Sequence, residues 1–132
     1  MKFEVGMKGT FSKQITDAMV REFAEISGDS NPIHLDNEVA KKSIFKTRVA
    51  HGLLGASLIS AVLGTIMPGE GTIYLGQELK FVKPVLLDDV LTAQAEIKSI
   101  SEKGISKIST QVFNQNDEIL IEGEATVKLP QE

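Results

Sequence analysis

The chain has no cysteine, only two histidines and no run of basic residues in its 132 positions. Without cysteine there is no disulfide framework and no thiolate cage for a metal. Two histidines are too few for a multi-histidine metal site, so neither metal nor cofactor is expected. Fourteen Lys and Arg stand against eighteen Asp and Glu, a formal net charge of −4, which argues against nucleic acid as a partner. Met1-Lys2-Phe3-Glu4-Val5 lacks the apolar core of a signal peptide, and a cytoplasmic location is expected. Internal repeats, low-complexity stretches and linkers are also missing. Residues 1–132 are therefore expected to form one domain around one core.

Gly52 to Gly69 carries no charge at all. Its helical part, Gly52 to Met67, is short for a bilayer span, which needs roughly 20 apolar residues, so no membrane partner is expected. The segment reads instead as a helix buried on nearly all sides. An earlier helix is expected after Thr16 as N-cap, with Asp17 in its first turn. Met19, Val20, Phe23 and Ala24 recur at helical spacing, and Gly28 closes it. A short helix is expected after Asp36 or Asn37, through Val39 and Ala40.

After Gly71 the period changes to two. Ile73, Leu75, Leu79 and Phe81 share one face, interrupted by Gln77. Leu91, Ala93, Ala95 and Ile97 form the next apolar row, then Ile108, Thr110 and Val112, then Ile119, Ile121, Ala125, Val127 and Leu129. Turns fall at 101–104 and 115–118. The pattern predicts a four-strand antiparallel meander curled around the apolar helix, an α+β arrangement.

The chemistry-bearing stretch is Ser27-Gly28-Asp29-Ser30-Asn31-Pro32-Ile33-His34. It sets a carboxylate and an imidazole five residues apart in a loop between two helices. Fully extended, that spacing would separate them by roughly 17 Å. Gly28 can take positive φ, while Pro32 fixes its own φ and keeps Asn31 out of helix, so the chain can curl and bring the two groups to one water. The plainer alternative is that Asp29 and Asn31 are turn and cap residues and His34 is ordinary surface.

The stretch from Phe23 to Asp36, Phe-Ala-Glu-Ile-Ser-Gly-Asp-Ser-Asn-Pro-Ile-His-Leu-Asp, closely resembles the hydratase motif of the MaoC-like (R)-specific enoyl-CoA hydratases. Arg48-Val49-Ala50-His51-Gly52-Leu53-Leu54 resembles the segment leading into that family's central helix, and residues 68–81 resemble its following strand. The three segments occur in the family's order. The resemblance implies the hot-dog fold and addition of water across a trans-2-enoyl thioester of coenzyme A or an acyl carrier. It implies Asp29 and His34 as the catalytic pair, and a homodimer in which edge strands meet. It also implies an oxyanion role for the backbone N–H of Gly52, where the open N–H groups of a helix start. Gly52 could equally serve close packing alone. Ser60 matches a serine lining the family's acyl pocket, against the alternative of a hydroxyl bonded to its own helix. Asn31 is expected to shape the loop beside the substrate, and His51 to be structural. Arg48, Lys80 and Lys83 are available for carrier phosphates or as solvated charge. Along the central helix, small Ser57, Ser60, Ala61 and Gly64 beside bulky Leu58, Leu63 and Met67 suggest a tunnel for short to medium acyl groups.

Two other functions fit a hot-dog chain. A thioesterase would need a carboxylate on or beside the central helix, and Gly52 to Met67 has none. A non-catalytic acyl-thioester-binding protein would have no use for the Asp29 and His34 pair.

Overall fold

The computed structural model describes residues 2–131. In chain order the elements are β1 (Lys8–Gln14), α1 (Asp17–Ser27), α2 (Pro32–Leu35), α3 (Asn37–Lys41), β2 (Val49–Ala50), α4 (Gly52–Thr65), β3 (Ile73–Phe81), β4 (Val85–Leu86), β5 (Val90–Ile100), β6 (Ile105–Phe113) and β7 (Ile119–Lys128). Five strands form one antiparallel sheet in the order β1-β5-β6-β7-β3. The alternating apolar rows of β5, β6 and β7 are buried on one face, and α4 lies against it with Leu54, Leu58, Ile59, Val62 and Leu63. A greasy sheet face and a greasy helix remove each other's surface from water, which is the hot-dog fold.

The expected meander is only partly present. β5, β6 and β7 follow one another, but β3 pairs with the far side of β7 instead of with β5. β1, unforeseen, closes the other side by pairing with β5. Its sequence Lys-Gly-Thr-Phe-Ser-Lys-Gln has no apolar alternation, because as an edge strand it buries little. Gly9 marks its crossing over α4: a Cβ there would sit 2.7 Å from the Met67 Cβ.

β3 does not present one buried apolar face either. The register shifts between Tyr74 and Gly76, so the alternation breaks, and Ile73, Leu75 and Phe81 are all more than half exposed. Nor is α4 buried on nearly all sides. Leu53, Ser57, Ser60 and Gly64 form an exposed stripe at helical spacing. Among the described residues no helix is long and apolar enough to cross a membrane.

α1 forms as its residues dictate. The Thr16 hydroxyl accepts the Met19 N–H at 3.3 Å, and Gly28 ends the helix at φ +81° with its N–H on the Ala24 carbonyl. α3 begins at Asp36, whose carboxylate accepts the N–H groups of Glu38 and Val39. The one-turn helix α2 between them was not foreseen. Its N-cap is Asn31 and its first residue Pro32, a position where the missing N–H costs nothing.

Candidate active site

Gly28 turns the chain out of α1, and the next residues are tied by their own side chains. The Ser27 hydroxyl accepts the Asp29 N–H at 3.0 Å, Asp29 Oδ1 accepts the Asn31 N–H at 3.2 Å, and Asn31 Oδ1 accepts the Ile33 N–H at 3.2 Å. Asp29 and Asn31 are therefore turn and cap residues, as the plainer sequence reading has it. That role uses one carboxylate oxygen of Asp29 and leaves the other open.

His34 sits in α2, not in open loop. Its Nδ1 lies 2.7 Å from the carbonyl oxygen of Val49 in β2. A carbonyl only accepts, so Nδ1 carries the proton and Nε2 keeps the lone pair. Arg48 reaches across from the residue before β2, and its Nε donates to the His34 carbonyl at 2.8 Å. The buried Arg48 guanidinium is in turn paired with Asp17 at the start of α1. That ion pair, with a second contact from Arg21, holds the Asp17 carboxyl below its usual range. Arg48 is thus committed inside the fold and is not available for a carrier phosphate. Lys80 lies along another groove, and Lys83, beside the site, is paired with Glu118 at 2.6 Å.

His51, the residue before α4, is 2% exposed. Its Nε2 donates to the backbone carbonyl of Asp29 at 2.9 Å. Its ring stacks on His34 with centroids 3.9 Å apart and packs at a tilt against Phe23 at 4.8 Å. A carboxylate oxygen of Asp29 and one ring nitrogen each of His34 and His51 lie within 4.8 Å of one another. One water can bridge Asp29 and His34 over such a gap. The trio is a poor metal cage. Stacked rings hold their in-plane lone pairs in separate layers, and one nitrogen of each imidazole is already spent on a carbonyl.

Gly52 begins α4 beside this pair. The carbonyl of His51 accepts the N–H groups of Leu54 and Gly55, while the Gly52 N–H has no acceptor among the described residues. It stands at the positive end of the helix dipole. Gly52 also serves close packing, since a Cβ on it would come 2.7 Å from the Phe81 ring. The two sequence readings of Gly52 are compatible.

These residues line a cleft of about 690 Å³ with mostly apolar walls, among them Phe23, Phe45, Leu53, Phe81, Val85 and Ile121. Asp29, Asn31, His34 and Gly52 all line it. Ser60 does not line it. It lies on the exposed stripe of α4, two turns beyond Leu53. Leu58, Leu63 and Met67 do not line it either; they are core residues. Sequence reasoning missed the walls Val85 and Ile121. Their only signal was membership of apolar runs, which does not say which cavity a side chain faces.

The family model described as MaoC like domain matches residues 2–118. The chain is 44% identical to an (R)-specific enoyl-CoA hydratase of Aeromonas caviae over 128 residues, 96% of each protein. It is 43% identical over 128 residues to a 3-hydroxybutyryl-CoA dehydratase of Methylorubrum extorquens, covering 96% of this chain and 81% of that one. Among solved structures, the A. caviae (R)-hydratase superposes with a TM-score of 0.95 over 98% of both chains at 44% identity. The unliganded R-hydratase PhaJ1 of Pseudomonas aeruginosa gives 0.94 at 43% identity, over 98% of this chain and 84% of that one. With the fold, the loop and most of the chain's length in agreement, the protein belongs to the MaoC-like domain family.

Proposed function

We propose that the protein is an (R)-specific enoyl-CoA hydratase, equally a 3-hydroxyacyl-thioester dehydratase in reverse, working in the cytoplasm as a homodimer. The observation that carries this is the placing of Asp29 and His34 within one water's reach on the wall of an apolar cleft, next to the open N–H of Gly52. An enoyl thioester needs that set: a held water, a proton carrier and a donor for the oxygen that becomes negative.

In the forward direction the water oxygen bonds to C3 of the enoyl group. The C2–C3 π electrons move toward the thioester carbonyl, whose oxygen takes the enolate charge against the Gly52 N–H. One water proton stays on the new hydroxyl; the other passes through the Asp29 and His34 pair to C2. The pair ends as it began. The lone pair on His34 Nε2 and the open oxygen of Asp29 are its two proton-accepting atoms. Asn31 holds the loop that carries both. The carbon-lined cleft favours the acyl chain and excludes stray water.

Assembly rests on the edges of the sheet. β1 shows Lys8, Thr10, Ser12, Lys13 and Gln14, a polar edge that repels pairing. β3 instead exposes Ile73, Tyr74, Leu75 and Phe81 on an unpaired edge. Two β3 edges meeting about a two-fold axis would bury them. The exposed stripe of α4 starts at Leu53, which lines the cleft, so a partner covering it would lengthen the cleft toward Ser57 and Ser60. Ser60 enters substrate binding in this reading only through that assembly.

The test is hydration of crotonyl-CoA followed by loss of enoyl absorbance, with chiral analysis of the product. Asp29→Asn and His34→Gln, both nearly isosteric, are each expected to lower kcat by roughly 10²–10⁴-fold with folding intact. The double variant should be little slower than either single one, since both act on one water. An (S) product, or a single variant with wild-type turnover, would overturn the assignment. A thioesterase reading has no carboxylate on α4 to rest on.

A further inference from the structure

We propose that His51 is a positioning residue of the hydration reaction, holding Asp29 through its backbone carbonyl and His34 through its ring. The proposal rests on the roles given above to Asp29 and His34. Three observations carry it. The Nε2–H of His51 donates to the Asp29 carbonyl at 2.9 Å, which ties the loop to the start of α4, twenty-two residues later in the chain. The ring stacks on His34 at 3.9 Å, fixing the face that the Val49 contact leaves free to swing. Third, the Nδ1 of His51 is buried and has no hydrogen-bond partner among the described residues.

That third observation separates positioning from packing. An unpartnered nitrogen in the interior costs free energy, and an aromatic hydrocarbon at the same place would not incur it. If the site needed only a ring between Phe23 and His34, phenylalanine would serve the fold better. What phenylalanine cannot supply is the N–H that reaches the Asp29 carbonyl. The tautomer follows from the partner: the ring proton sits on Nε2, facing the Asp29 carbonyl, and Nδ1 is left as an acceptor without a donor. His51 is accordingly a residue that stability alone would not choose.

The geometry also says how the loop is held. Apart from the His51 contact, the turn at the exposed residue Asp29 is closed among the described residues by short-range contacts. Without His51 the carbonyl can turn to solvent, and the carboxylate can drift relative to His34 while the loop remains folded. A shift of about 1 Å in one of two groups sharing a water is enough to lower turnover up to about a hundredfold. Substrate binding, made mainly by the apolar walls, would change little.

The experiment compares His51→Phe with His51→Gln, each alone and in the Asp29→Asn background, by kcat and KM for crotonyl-CoA and by thermal melting. His51→Phe keeps the ring and loses the donor. His51→Gln keeps an N–H at similar reach and loses the ring. We expect His51→Phe to melt no lower than the wild type, with kcat down about 10- to 100-fold and KM within about threefold. His51→Gln should recover part of that kcat. In the Asp29→Asn background, His51→Phe should cost nothing further, because the residue it positions is already disabled. If His51→Phe does not fold, His51→Met takes its place against His51→Gln. Wild-type kcat in the donor-less variant would overturn the proposal. So would the same fractional loss in the Asp29→Asn background, which marks a purely structural role. Failure of the wild-type protein to hydrate crotonyl-CoA would instead sink the hydratase reading itself.

Discussion

The oxyanion role of Gly52 can be separated from its packing role by two substitutions that share one steric effect. In Gly52→Ala the new Cβ would start 2.7 Å from Cδ1 and Cε1 of Phe81. Carbon atoms rest at about 3.5–4.0 Å, so the ring must retreat by about 1 Å. Phe81 is half exposed at the end of an edge strand and can do so without disturbing the core. Alanine is also the better helix former, by up to about 1 kcal/mol, and the melting temperature should move by only a few degrees. The displaced ring lines the cleft, and kcat/KM should fall about 10- to 100-fold. Gly52→Pro adds the same Cβ and also removes the N–H. Proline suits the first position of a helix. His51 at φ −60°, ψ 132° already has the backbone that a residue before proline prefers. The fold should therefore survive both changes. Loss of one oxyanion donor costs about 10²–10³ in kcat, so the proline variant should be slower than the alanine variant by that further factor. The assay is crotonyl-CoA hydration, with circular dichroism melts as the control for folding. Equal turnover in the two variants would refute the oxyanion role and leave Gly52 as a packing residue only.

Acid should loosen the site through Asp17. Arg48, then Arg21, holds its carboxyl below the usual range, so the stability from this pair is present above the unfolded value of about 3.9 and is lost as pH falls through the folded value. Asp17→Asn should lower the melting temperature at neutral pH and flatten its decline in acid; an unchanged acid limb would show that other carboxylates dominate. Val85→Ala, opening the cleft wall, should move the acyl optimum upward from the expected length of about four to six carbons, at a cost of about 1–3 kcal/mol. Leu63→Ala, in the core and away from the cleft, should cost about 2–5 kcal/mol with no change in chain preference, and a shift in preference would contradict the placement of the acyl tail. Leu75→Lys on the exposed edge of β3 should give a monomer by light scattering; a dimer that persists would place the interface elsewhere.

What could be read from the sequence was whatever depends on near neighbours. Thr16 and Gly28 bound α1 because a cap is a contact between residues three or four apart. The alternating rows of β5, β6 and β7 were legible because each strand buries one face against α4. β1 was not legible, since an edge strand with polar residues leaves no period. The place of β3 beside β7 was not legible either: both a meander and the observed order give the same local pattern, and only the long-range pairing distinguishes them. The exposed stripe of α4 escaped notice because Leu53, Ser57, Ser60 and Gly64 carry no charge to mark it as outward.

The site divides along the same line. Asp29, Asn31 and His34 stand within six positions of one another and could be singled out together. Their positioning residues could not, because each comes from the far side of a chain crossing. Val49 fixes the tautomer of His34, Arg48 holds its carbonyl, and His51 holds the carbonyl of Asp29. All three belong to the four-residue run Arg48 to His51 around β2, which β4 pins by pairing Val49 with Leu86 and Ala50 with Val85. The short sheet thus supplies what the loop cannot make for itself. A turn stabilised only by its own Asp and Asn side chains would fix the backbone and leave the direction of the reactive groups free. Anchoring the same turn from β2 lets Asp29 give one oxygen to the fold and keep the other for chemistry.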